Sequence, residues 1–100
     1  MTITVHELKA RLDNGDRPIL IDVREPYEHE EFNIGPINIP VGQILSSVGD
    51  LEGHKNDEIV VYCRTGNRSG MAQHLLRAPG FTRVINLTGG MEAWKEAFGS

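Results

Sequence analysis

Cys63-Arg64-Thr65-Gly66-Asn67-Arg68-Ser69 is the stretch whose residue types and spacing could do chemistry, and Cys63 is the only cysteine in the chain. The β-branched run Ile59-Val60-Val61-Tyr62 leads straight into it, and a helical pattern, Met71-Ala72 then Leu75-Leu76, follows. The thiol therefore falls where a buried strand ends and a helix begins. At a helix start the first backbone N–H groups are unpaired, and the helix dipole adds partial positive charge. A sulfur held there is favoured as thiolate, the nucleophilic form. Gly66 lets the backbone curl into a cradle because it tolerates positive φ. Thr65, Asn67 and Ser69 are short and polar, and Asn67 or Ser69 could cap the helix. Arg64 and Arg68 place fixed positive charge nearby, and arginine matches sulfur and phosphorus oxyanions through paired N–H groups. A nucleophilic sulfur in an anion-binding bowl suits displacement at phosphorus or at sulfur.

Loop length separates the two. Cysteine phosphatases close a longer loop, with one more residue between nucleophile and arginine, around a tetrahedral phosphate. Only Arg64 to Asn67 lie between Cys63 and Arg68. The smaller bowl favours sulfur transfer.

The elements that must position this loop alternate along the chain. Thr4-Val5-His6-Glu7 matches a capping box, and Val5, Leu8 and Leu12 share one helical face. Asn14-Gly15-Asp16 stops that helix. Pro18 to Val23 reads as a strand buried on both faces, as in a parallel sheet. Glu25 to Phe32 predicts a short acidic helix with a solvated face. Ile37-Asn38-Ile39 predicts a brief strand. Ile44, Leu45 and Val48 predict a helix ending near Gly49, and residues 51–57 a polar loop. The strand Glu58–Tyr62 precedes the cysteine loop, a helix follows from about Arg68 to Arg77, and Arg83 to Leu87 forms a further strand. Thr88-Gly89-Gly90 is a tight turn, and Met91, Trp94 and Phe98 mark the apolar face of a last helix, with Trp94 in the core. This is an α/β pattern with right-handed crossovers and a mainly parallel sheet. Ligands of such sheets bind outside the carboxyl ends of the strands, where Cys63, Arg24 and the Thr88-Gly89-Gly90 turn would converge.

Composition bounds the rest. One hundred residues predict a single domain, 1–100, with a modest core. A formal net charge of −4 argues against general binding to nucleic acid or acidic membranes. A lone cysteine cannot form an internal disulfide or a cysteine-rich metal site, so a reducing, cytoplasmic setting is expected. His6, His29, His54 and His74 are scattered without metal-ligand spacing and receive no role.

Four segments in this order resemble a single-domain rhodanese, the thiosulfate sulfurtransferase-like family. They are Asp22-Val23-Arg24-Glu25, Ile37-Asn38-Ile39-Pro40, Val60 to Ser69, and Val84 to Gly90 with Trp94. The chain departs from the family's Gly-His-Ile-Pro-Gly stretch, where Phe32-Asn33-Ile34-Gly35-Pro36 stands one residue shorter. The resemblance implies a rhodanese-like fold: a central, mainly parallel sheet of about five strands, flanked by helices on both faces. It implies sulfur transfer through a Cys63 persulfide. The donor is a small sulfur-containing anion such as thiosulfate, or a persulfide. The acceptor is cyanide, a small thiol or a protein. No metal or organic cofactor is required. Arg64, Thr65, Gly66, Asn67 and Arg68 would bind substrate, with Asp22, Arg24 and Ser69 in support. Arg64 can attract substrate or stay solvated, and Arg68 can bind substrate or pair with an acidic neighbour. Asp22, at a buried strand end, must be hydrogen-bonded and would tie loops together, while Arg24 would line the pocket rim. The alternatives are a non-catalytic binding or regulatory module, a persulfide carrier, and, less favoured by loop length, a phosphatase or arsenate reductase.

Overall fold

A computed structural model describes residues 1–99. Five parallel strands form one sheet in the order β1-β5-β4-β2-β3. In chain order they are β1 (Thr2–Ile3), β2 (Ile19–Asp22), β3 (Ile37–Asn38), β4 (Ile59–Tyr62) and β5 (Val84–Leu87). The α-helices are α1 (Val5–Asp13), α2 (Pro26–Glu31), α3 (Asn67–Leu75) and α4 (Gly90–Phe98). The predicted capping box starts α1: Glu7 N–H donates to Thr4 Oγ1, and Thr4 N–H donates to Glu7 Oε1. The two-residue β1, paired to β5, was not predicted, because so short a strand has no periodicity to read.

β4 is the central strand and all four of its residues are buried. Its side chains alternate between two cores, as the strand period of two requires. Ile59, Val61 and Cys63 join Ile21, Ile44, Ala72 and Leu76 on the α3 side. Val60 and Tyr62 join Leu8, Leu87, Met91 and Trp94 on the side of α1 and α4. The expected helices on both faces of a parallel sheet are present.

Two expectations need correction. The segment expected to be a helix to Gly49 and then a polar loop forms 3₁₀ turns, Val41–Gln43 and Leu45–His54, and Leu51 is buried in the α3-side core. Ile44, Val48 and Leu51 recur at three- and four-residue spacing, which anchors the segment, while Gly49 and Gly53 weaken an α-helix. Met71, taken as part of the apolar pattern of α3, is 60% exposed, because Ala72 and Leu76 set the inward face. Among the described residues, no helix is long and apolar enough to cross a membrane.

Candidate active site

Cys63 stands at the carboxyl end of β4, with β2 and β5 as that strand's neighbours. Gly66 is the residue before α3 and takes φ +108°, a left-handed conformation that turns the chain sharply. The turn brings the Gly66 N–H to 3.0 Å from Cys63 Sγ. Ser69, fully buried in the first turn of α3, places its Oγ 3.4 Å from the same sulfur. Neither Asn67 nor Ser69 caps the helix as expected. Gly66 occupies the cap position without a side-chain hydrogen bond, and Ser69 is already helical with its hydroxyl turned to the sulfur.

α4 supports the loop from the other side. Its first free amides, Met91 N–H and Glu92 N–H, donate to the carbonyls of Cys63 and Arg64 at 2.9 and 3.0 Å. With those carbonyls drawn to α4, the loop's N–H groups are left to face the thiol. Such an approach needs a glycine. Gly90 has φ +55°, and a Cβ on it would lie 2.3 Å from the Cys63 carbonyl oxygen.

Cys63 is 1% exposed, buried at the edge of the α3-side core. Burial is the largest single influence on its acidity and pushes the thiol pKa up. Hydrogen bonds from the Ser69 hydroxyl and from the N–H groups of Ser69, Gly66 and Thr65 outweigh it, and the pKa falls below the ordinary thiol value. The helix start was expected to act this way. The arginines contribute differently from expectation. Arg68 couples to the Cys63 charge, but its guanidinium is held bidentately by Glu28 at 2.7 and 3.0 Å. Arg64 is 69% exposed at its side chain and pairs with Glu92 at 3.1 Å. Thr65 on the loop and Asn67 at the first position of α3 are exposed.

Alkylation rate against pH is expected to inflect below about 8.5, the free-thiol value, because the thiolate persists to lower pH. The sign for stability follows: the thiolate's contribution is present above about pH 8.5 and is lost as pH falls through the lowered folded value. An inflection at or above about 8.5 would contradict the ring of donors.

Beside the loop, Asp22 ends β2 wholly buried. Its Oδ1 accepts from the Arg24 N–H and Nε at 3.0 and 2.9 Å, and its Oδ2 accepts from Arg24 Nη2 at 2.8 Å. His29 Nδ1 lies 2.9 Å from the same Oδ2. Asp22 thus ties β2 to α2. Arg24 reaches a cleft of about 320 Å³ that it shares with Tyr27, Glu28, Arg64, Glu92 and Lys95 and that Cys63 does not line. The segment before β3 is held by Tyr62, whose hydroxyl accepts the Ile34 N–H at 3.3 Å.

Five contributors escaped the sequence reading: Glu28, His29, Asn86, Gly90 in its role under the loop, and Glu92. Glu28 lies 40 positions from Arg68, and nothing local links them. Its carboxyl is held down to about pKa 2, chiefly by the Arg68 hydrogen bond, so it is no part of a merely solvated acidic face. Asn86 had a signal: it interrupts the apolar strand Val84-Ile85-Asn86-Leu87 near the site.

Comparison with known proteins adds to this geometry. The family profile described as Rhodanese-like domain matches residues 4–97. The thiosulfate sulfurtransferase PspE of Escherichia coli is 37% identical over 70 residues, covering 69% of this chain and 67% of PspE. The structure of the human single-domain sulfurtransferase TSTD1 superposes with a TM-score of 0.81 at 30% identity, covering 95% of each chain. Bacillus subtilis YrkF, which bears a sulfur-carrier name, is 36% identical over 93 residues, covering 92% of this chain. The chain spans half or less of some curated relatives: 49% of YrkF and 21% of a maize adenylyltransferase and sulfurtransferase, MOCS3-1.

Proposed function

This chain belongs to the rhodanese-like domain family, and from that premise we propose that it is a sulfurtransferase working through a persulfide on Cys63. The Cys63 thiolate attacks the outer sulfur of thiosulfate or of a persulfide donor. The donor's S–S bond breaks, and sulfite or the spent thiolate leaves with the electron pair. The outer sulfur, now bonded to Sγ, carries the negative charge, and the loop N–H groups stabilise it as an oxyanion hole would. A thiophilic acceptor, cyanide or a thiolate, then attacks that sulfur and Cys63 leaves as thiolate. No general base is required when the nucleophile is already ionised.

The observation that carries this reading is the approach of the Gly66 N–H, 3.0 Å from Sγ, in a loop braced by two helix starts. One added sulfur extends the reactive end by about 2 Å, an S–S bond length, toward an acceptor. The engagement of Arg68 with Glu28 speaks against a phosphatase, which needs that guanidinium on the phosphate.

Incubation with thiosulfate followed by intact mass measurement tests the proposal. The expected result is a gain of one sulfur atom on the wild-type chain and none on Cys63→Ser. No adduct on a chain whose thiol still alkylates as a thiolate would overturn transfer from thiosulfate and favour a binding module.

A further inference from the structure

Ser69 has one hydroxyl proton and two acceptors. Its Oγ lies 3.4 Å from Cys63 Sγ and 2.6 Å from Oδ1 of Asn86 on β5. Asn86 is itself oriented by its other end, where Nδ2 donates to the Gly66 carbonyl at 3.1 Å. That second bond turns Oδ1 toward Ser69, since the two ends of an amide differ in role. We propose that Asn86 is a positioning residue that competes with Cys63 for the single hydroxyl proton of Ser69.

The two states of the sulfur then differ in one hydrogen bond. In the thiol state the Ser69 proton serves Asn86, and Ser69 Oγ is free to accept the weak S–H donor. On ionisation the S–H proton leaves to solvent. The hydroxyl rotates, its bond to Asn86 breaks, and it donates to the thiolate. The amide oxygen loses a partner in that step, so Asn86 favours the thiol and works against the loop amides. The balance sets how much thiolate waits for a donor. The charged groups flanking the sulfur occur as pairs: Arg68 with Glu28, Arg64 with Glu92, and Arg24 with Asp22. None of them is altered in the test below.

The inference rests on the reading of Cys63 as a working thiolate, but its test uses no sulfur donor. The pH dependence of iodoacetamide alkylation is measured for wild type, Ser69→Ala, Asn86→Leu and the double variant. Ser69→Ala is expected to shift the inflection up. Asn86→Leu is expected to shift it down by about half a unit or more, roughly a threefold change in the ionisation constant. In the double variant the downward shift disappears, and Asn86→Leu adds to Ser69→Ala only the upward effect of losing the tie to the Gly66 carbonyl. Loss of the tie to the Gly66 carbonyl would by itself loosen the loop and move the inflection up, so a downward shift isolates the proton. An upward or absent shift in Asn86→Leu, or a downward shift that persists without Ser69, overturns the proposal. If Asn86→Leu does not fold, Asn86→Asp serves, because a carboxylate is the stronger acceptor. It should raise the inflection more with Ser69 present than without, and equal shifts in the two backgrounds overturn the proposal. If the predicted coupling holds while thiosulfate adds no sulfur, sulfur transfer falls and the role of Asn86 stands.

Discussion

Gly90→Ala is expected to destabilise the chain by roughly 3–5 kcal/mol and to raise the thiol pKa, although the substitution adds only a methyl group. A non-glycine residue forced into the left-handed region costs about 1–3 kcal/mol. The added Cβ would also meet Cys63 O at 2.3 Å and Arg64 O at 2.7 Å, both backbone atoms that cannot swing aside. Relief requires α4 to retreat. The hydrogen bonds from Met91 and Glu92 to the two loop carbonyls then stretch or break, at about 1 kcal/mol each. The loop that directs N–H groups at the sulfur would lose its brace, so the proposed sulfur loading should fall with stability. Gly66→Ala makes the comparison informative. Gly66 is also left-handed, at φ +108°, but its added Cβ would meet nothing closer than 3.7 Å. Its cost is backbone strain alone, about 1–2 kcal/mol. Thermal melts and alkylation profiles of both variants check the ordering, and a Gly90→Ala chain no worse than Gly66→Ala would contradict the brace.

The second large effect is expected at Asp22. Asp22→Ala leaves the Arg24 guanidinium, 5% exposed at its side chain, without its counter-ion. Removing one partner of a buried ion pair costs about 3–5 kcal/mol, because the remaining charge stays desolvated. At this chain length each kcal/mol lowers the melting temperature by about 4–8 °C, so the variant should melt far below wild type. The loss reaches the site as well. The carboxylate is where β2, Arg24 and His29 of α2 meet, and α2 carries Glu28, which holds Arg68. Asp22→Asn retains acceptor capacity on one oxygen and is expected to lie between wild type and alanine. Denaturant unfolding measures the series, and an alanine variant within about 1 kcal/mol of wild type would show that the network contributes little.

Much of the architecture was legible along the chain. The apolar runs entering Asp22 and Cys63 are each too short for a helix, and they alternate with capped helical segments, which predicts parallel strands under crossover helices. The capping box at Thr4 and Glu7 could be read because both of its bonds span three residues. The position of Cys63 between a strand and a helix was equally local. β1 and the 3₁₀ turns through Leu51 were not legible, since two residues show no period and the glycines at 49 and 53 obscure the apolar spacing.

The sequence by itself determined that a lone thiol would stand at a strand end, beside a glycine that permits a tight loop and a helix start that offers N–H groups. Those are short-range properties, set by backbone conformation and residue type. Only the tertiary structure decided which groups reach the sulfur and which turn away. Ser69 and Gly66 point to it, Arg68 is claimed by Glu28 from 40 positions upstream, and Arg64 pairs with Glu92 at the surface. It also decided that α4 draws the carbonyls of Cys63 and Arg64 aside, and that Asn86 shares the proton donor of Ser69. Apart from the contacts of Gly66 and Ser69 with Cys63, these join segments distant in sequence, and their strength depends on distances that local preferences do not encode.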